Sequence, residues 1–144
     1  MQNYVIDSCV FIKLFLEEED SNKALELLRY INNKNKAIIV PSLFLYEIIN
    51  IAKKADLNIE KIYNVLEKFY EVNLEYVNPN IEETKLALEI SSKGNYKSGY
   101  PSAYDSIYHS IAINRNALFV TSDKKHYEKS KEFGNIILLK NIDI

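Results

Sequence analysis

Ala37-Ile38-Ile39-Val40-Pro41-Ser42-Leu43-Phe44-Leu45-Tyr46-Glu47-Ile48-Ile49-Asn50-Ile51 is the stretch whose reading decides the fold. It opens with four apolar residues, three of them β-branched, a run of the length that fills a buried strand. Pro41 stops the run, because proline has no N–H to give a sheet ladder. Ser42 can then cap a helix, and apolar residues recur at helical spacing to about Ala55. A strand followed at once by a helix is the repeating unit of a parallel sheet.

The same alternation extends outward in both directions. Toward the N-terminus, Tyr4-Val5-Ile6 reads as a strand ending at Asp7. Glu19 to Asn32 reads as a helix capped by Asp20 and Ser21, with Ala24, Leu27, Leu28 and Ile31 on one face. Toward the C-terminus the spacing predicts helices over 58–72 and 81–91 around a strand at 74–77. Lys93 to Pro101 holds two of the three glycines and is a loop. A helix over 102–116, a strand at 118–121, a helix over 124–132 and a strand at 136–139 complete the chain. These elements predict one α/β domain, residues 1–144, with a mainly parallel sheet. Such sheets place their sites beyond the C-terminal strand ends. Asp7 and Asp123 both fall there.

Composition narrows the class. At 144 residues, 47% apolar and 26% charged, the chain is an ordinary globular domain. A single cysteine, Cys9, excludes an internal disulfide, and no apolar run approaches the ~20 residues of a membrane span. No signal peptide is visible, so a cytoplasmic location is expected. The formal charge of −2 does not advertise nucleic-acid binding.

Four acids carry the chemistry. Asp7 sits between two apolar runs, where a carboxylate is costly to desolvate unless paired; it also reads as a cap for a helix starting near Val10. Glu47 lies four residues from both Leu43 and Ile51, hence on an apolar helix face, with a buried ion pair as the alternative to a metal or catalytic role. Asp105 follows Ser102 by three and fits a capping box as well as a site. Asp123 ends Leu118-Phe119-Val120-Thr121-Ser122 and can cap the next helix, with Thr121 on the same side to orient it. Gathered carboxylates repel one another unless a cation intervenes, and an all-oxygen set without histidine suits Mg²⁺ or Mn²⁺ better than zinc. Such ions activate water for phosphodiester hydrolysis.

Four segments, Tyr4 to Phe15, Pro41 to Ile48, Tyr104 to Ala112 and Phe119 to Lys125, resemble the successive acidic motifs of PIN domains. They stand in family order across nearly the whole chain. The resemblance implies a three-layer α/β/α sandwich with Asp7, Glu47, Asp105 and Asp123 as metal ligands and Ser8 and Thr121 as supporting hydroxyls. It further implies a metal-dependent endoribonuclease, and a short chain of this kind looks most like VapC-type toxins, which cleave RNA and are blocked by a small antitoxin. Cys9 departs from the small residues common at its position.

On that reading, neutralising the four acids would turn the formal charge from −2 to +2. Lys13, Lys93, Lys97, Lys124 and Lys125 become candidate phosphate contacts, beside the reading that they are solvated surface. The tyrosines of the 93–101 loop could stack on unpaired bases. His109 is expected in a core or surface role and His126 at the surface. The apolar faces at 42–55 and 58–72 suggest a homodimer or partner docking, beside the equal alternative of ordinary core burial. Phosphoryl transfer through an aspartyl-phosphate is disfavoured, since Cys9 stands where a second Asp is needed and Ser8 supplies no acidic pair. A PIN-like binding module without turnover, and an RNA-processing nuclease outside any toxin system, stay open.

Overall fold

The computed structural model describes residues 2–144. Five strands, β1 (Tyr4–Ile6), β2 (Ile38–Pro41), β3 (Leu74–Val77), β4 (Leu118–Thr121) and β5 (Ile136–Leu138), form one sheet in the order β3-β2-β1-β4-β5. All four pairings are parallel. The helices are α1 (Ser8–Phe11), α2 (Ser21–Asn33), α3 (Leu43–Ala55), α4 (Ile59–Val72), α5 (Ile81–Ser91), α6 (Ala103–Asn114) and α7 (Lys124–Ser130).

Strand order fixes the layers. The chain winds from β1 to β2 to β3 in one direction, then crosses back to β4 and β5 on the other side. Right-handed crossovers therefore lay α1 to α4 on one face and α5 to α7 on the other, which gives the α/β/α sandwich. On the first face Phe11 meets Phe44 and Phe69 edge-on, with centroids 5.5 and 5.7 Å apart. On the second, Tyr108 of α6 stacks on Phe119 of β4 at 5.7 Å. The central strands are apolar because both their faces are covered: Val5, Ile6, Val40, Phe119 and Val120 are all buried.

Element bounds are mostly as read, the caps less so. Asn58 caps α4 through Lys61 N at 3.2 Å, and Asn80 with Glu83 forms a reciprocal capping box on α5. Three caps differ. Ser42 makes no side-chain cap bond. Asp20 makes none either and pairs with Lys13 instead, at 2.9 Å. Asp7 does cap a helix, but one that begins at Ser8 rather than near Val10.

The reversal of winding direction leaves a crevice between β1 and β4, at their C-terminal ends. Ile6 is registered with Val120, and the Asp7 N–H donates to the Val120 carbonyl at 3.1 Å. Register thus sets Asp7 beside Thr121.

Candidate active site

Asp7, Glu47, Asp105 and Asp123 all line one cavity of about 320 Å³, together with Ser8, Cys9, Asn50, Ile51 and Ser122. The acids arrive from four places: the end of β1, α3, the first turn of α6 and the end of β4. Residues 116 positions apart meet because the crossover puts β1 and β4 side by side.

Three of the four acids have carboxylates held by protein donors. Thr121 Oγ1 donates to Asp7 Oδ2 at 2.7 Å and accepts the Asp123 N–H at 3.0 Å, so one hydroxyl sets two acids. Ser8 Oγ donates to Asp7 Oδ1 at 3.3 Å, a longer and weaker contact. The Tyr108 hydroxyl donates to Glu47 Oε1 at 2.6 Å. Asp123 caps α7 through His126 N at 3.0 Å. For Asp7 and Asp123, cap and site are one role, since a single carboxylate can accept an N–H and still face the cavity. Asp105 is different: Ser102 Oγ accepts the Tyr104 N–H at 3.1 Å, and no capping box forms.

Burial holds the carboxyls of Asp7, Glu47 and Asp105 above their ordinary range, with repulsion between the acids adding to it at Glu47 and Asp105. For Asp7 burial outweighs the hydrogen bonds from Thr121, Cys9 and Ser8. Glu47 is pushed up by burial, against the bond from Tyr108, and then by the charge of Asp7. Asp105 is pushed up to about 8, by burial first, then by the charges of Asp7 and Asp123, a hydrogen bond shared with Asp123, and the charge of Glu47. The thiol of Cys9 is also driven up, by burial and then by Asp7, so it stays protonated and is no nucleophile.

The donor set, all hard oxygen and short of positive charge, fits a divalent cation. The side chains as they stand do not yet grip one: among the described residues, no group of three or more His, Cys, Asp or Glu lies within reach of a single ion. Binding would require the carboxylates to turn inward from the bonds that now hold them.

The candidate lysines divide. Lys13 is buried, bound to Glu18 at 2.5 Å and to Asp20 at 2.9 Å, in the wall of a separate trough. Its charge is already met by two carboxylates, and it does not line the acidic cavity. Lys93 lies 5.7 Å over the Phe133 ring. Lys97 and Lys124 are exposed but line neither the acidic cavity nor its neighbour. Lys125 and Lys129 do line that neighbouring cavity, which shares Asp105 and Asp123 as a wall.

His126 is not at the surface but 2% exposed. Its ring sits against His109, Nε2 to Nδ1 at 3.4 Å, and His109 Nε2 donates to the Gly134 carbonyl at 2.7 Å. That chain of bonds sets both tautomers and leaves His126 Nδ1 without a partner. His109 is a core residue, as one of its two expected roles required. Tyr108 escaped the sequence reading, although a tyrosine amid an apolar helix signals a hydroxyl in need of a partner.

A wholly parallel α/β sandwich with acids gathered at its switch point defines a class of proteins with a candidate cation site at the C-terminal strand ends. The PIN-domain family model matches residues 4–132, and the chain belongs to that family, one of nucleases. Comparison with curated protein sequences finds no match. Among solved structures the chain is similar to VapBC2 from Rickettsia felis bound to a DNA fragment from their promoter, with TM-score 0.67, 22% identity and 95% of this chain and 97% of that chain covered. It is also similar to DNA-bound VapBC from Salmonella typhimurium, with TM-score 0.64, 21% identity and 96% and 97% covered. PAE2754 from Pyrobaculum aerophilum gives TM-score 0.60, 18% identity and 96% and 85% covered.

Proposed function

We propose that this protein is a metal-dependent endoribonuclease and the toxin of a toxin–antitoxin pair. The observation that carries the catalytic part is the gathering of Asp7, Glu47, Asp105 and Asp123 on one cavity at the switch point. Asp7, Glu47, Asp105 and Asp123 would hold Mg²⁺ or Mn²⁺, which supplies charge neutralisation at the scissile phosphate and acidifies water. Thr121 keeps Asp7 and Asp123 in fixed relation, and Ser8 adds a second hydroxyl on Asp7. Tyr108 holds Glu47 at the cavity edge. Asp105, poised to carry a proton near neutral pH, must release it before it can serve as a ligand.

Two solved neighbours are VapBC assemblies. That likeness supports a small antitoxin as partner; RNA as substrate follows from the nuclease reading of the acids, and a homodimer is proposed from the exposed apolar residues of α3 and α4. The spacing of the carboxylates favours one second reading, an RNA- or partner-binding module without turnover. RNA cleavage with and without Mg²⁺ or Mn²⁺, for wild type, Asp7→Asn and Asp105→Asn, separates the two. Cation-dependent cutting lost in both variants supports the nuclease; equal cutting in all three, or none in the wild type freed of any partner, sinks it.

A further inference from the structure

A second cavity, of about 260 Å³, adjoins the acidic one and shares Asp105 and Asp123 with it as a common wall. Its other side is built from the 98–102 segment, Lys125, His126 and Lys129. The two cavities differ in charge. The first is walled by carboxylates; the second presents two ammonium groups for which no carboxylate stands at salt-bridge distance among the described residues. Lys125 is exposed, and Lys129 Nζ is held only by the carbonyls of Ser98 and Gly99, the latter at 2.6 Å.

The loop above this cavity is shaped in advance. Gly94 sits so close to the Gly99 carbonyl that a Cβ there would lie 2.3 Å from it, which only glycine allows. Asn95 Oδ1 accepts the N–H groups of Lys97 and Ser98 at 3.0 and 2.9 Å, closing the turn. Lys129 then ties the loop to α7. The result is an open-sided recess with Tyr100 at its rim, 55% exposed and free to stack on a base.

We propose that this recess is the subsite for the nucleotide next to the scissile phosphate of a single-stranded RNA, with Lys125 and Lys129 receiving its phosphate and Tyr100 its base. This rests on the nuclease reading of the adjoining acids. A phosphodiester chain has alternating needs along such a groove: a cation-bearing site where it is cut, and ammonium groups where the next phosphate rests. Flexible single strands, unlike duplexes, can turn an unpaired base onto a tyrosine at the rim.

The test uses the full chain and a short single-stranded RNA labelled at its 5′ end. Lys125→Gln, Lys129→Gln and Tyr100→Ala are compared with Lys34→Gln, which lies between α2 and β2 at the N-terminal end of the strands and lines neither cavity. Where the RNA is cut with Mn²⁺, each recess variant should raise KM about tenfold with kcat within about twofold. Where it is not cut, fluorescence anisotropy of the same RNA should show the same loss of affinity. Each lysine variant should also lower the slope of log affinity against log salt by about one. Lys125→Gln keeps the test clean, because Lys129→Gln also frees the loop. A KM or affinity for Lys125→Gln equal to that of Lys34→Gln, or no RNA binding by the wild type, overturns the subsite. Lysine-dependent binding without cutting upholds the recess as a single-stranded RNA site, removes its relation to a scissile phosphate and overturns the nuclease reading.

Discussion

Asp105 is the residue whose protonation the fold has altered most visibly within the site. Its carboxyl, near 3.8 in an unfolded chain, stands at about 8 in the folded one. The folded state therefore binds a proton that the unfolded state has lost, and cation-free protein must lose stability as pH rises through that window. Below about 6.5 the buried histidines oppose the trend: burial lowers both, and His126 is lowered further by His109 to about 4, so their contribution grows as pH rises to the unfolded value. Between pH 6.5 and 8 the acids act alone. Wild type without divalent ions should thus melt at lower temperature at pH 8 than at 6.5, and Asp105→Asn should flatten that fall; a thermal-shift series in EDTA reads both. Thr121→Val keeps shape but removes a buried donor to Asp7 and the acceptor of Asp123 N–H. It should cost about 1–3 kcal/mol in urea unfolding and cut RNA turnover as well. Tyr108→Phe should spare stability more than activity, since only the hydroxyl on Glu47 is lost.

At the scale of elements, α5 and α6 are joined by an ion pair that the sequence did not announce. Arg115 Nε and Nη2 donate to Glu83 at 2.8 and 3.0 Å, and the Glu83 side chain is wholly buried. Burial would raise the Glu83 carboxyl, but the bonds from Arg115 and Asn80 hold it below its ordinary range. Glu83→Gln should cost about 3 kcal/mol in denaturant unfolding, at the low end for a broken buried pair because Arg115 is partly exposed. That pair also fixes the C-terminal end of the helix that carries Asp105 at its start. The long helices were legible from their apolar period, although the caps expected at Asp20 and Ser42 make no side-chain bond and the box at Asn80 escaped the sequence reading. His126 was misread because Lys124, Lys125 and Glu128 around it are solvent-seeking. A helix of seven residues still has an inner face, and His126 and Ser130, four apart, are both buried on it.

At the scale of the whole molecule, the exposed apolar side chains include Tyr46 and Ile49 on α3 and Tyr63 and Tyr70 on α4, two helices of the same layer. Large exposed apolar groups in this density mark association surfaces. Sedimentation equilibrium should find a species of twice the chain's 16.8 kDa at micromolar concentration, and a strictly monomeric chain would remove the homodimer from the proposed function. No helix among the described residues is long and apolar enough to cross a membrane.

By itself the sequence determined the α/β class, most element boundaries and the four acids of the cavity. The class and boundaries follow from local physics, from strand and helix periods and proline and glycine punctuation; the four acids follow from placement together with the resemblance to PIN motifs, on which Asp105 mostly rests. Tertiary structure alone decided which charges were already spent. Lys13 reads like any surface lysine until the turn before α2 brings Glu18 and Asp20 onto it. Lys125 and Lys129 read no differently, yet packing of α7 beside the 98–102 segment leaves them facing a recess. Pairing depends on distances between residues far apart in the chain. Those distances are set by strand order and crossover handedness, which the local pattern constrains but does not fix.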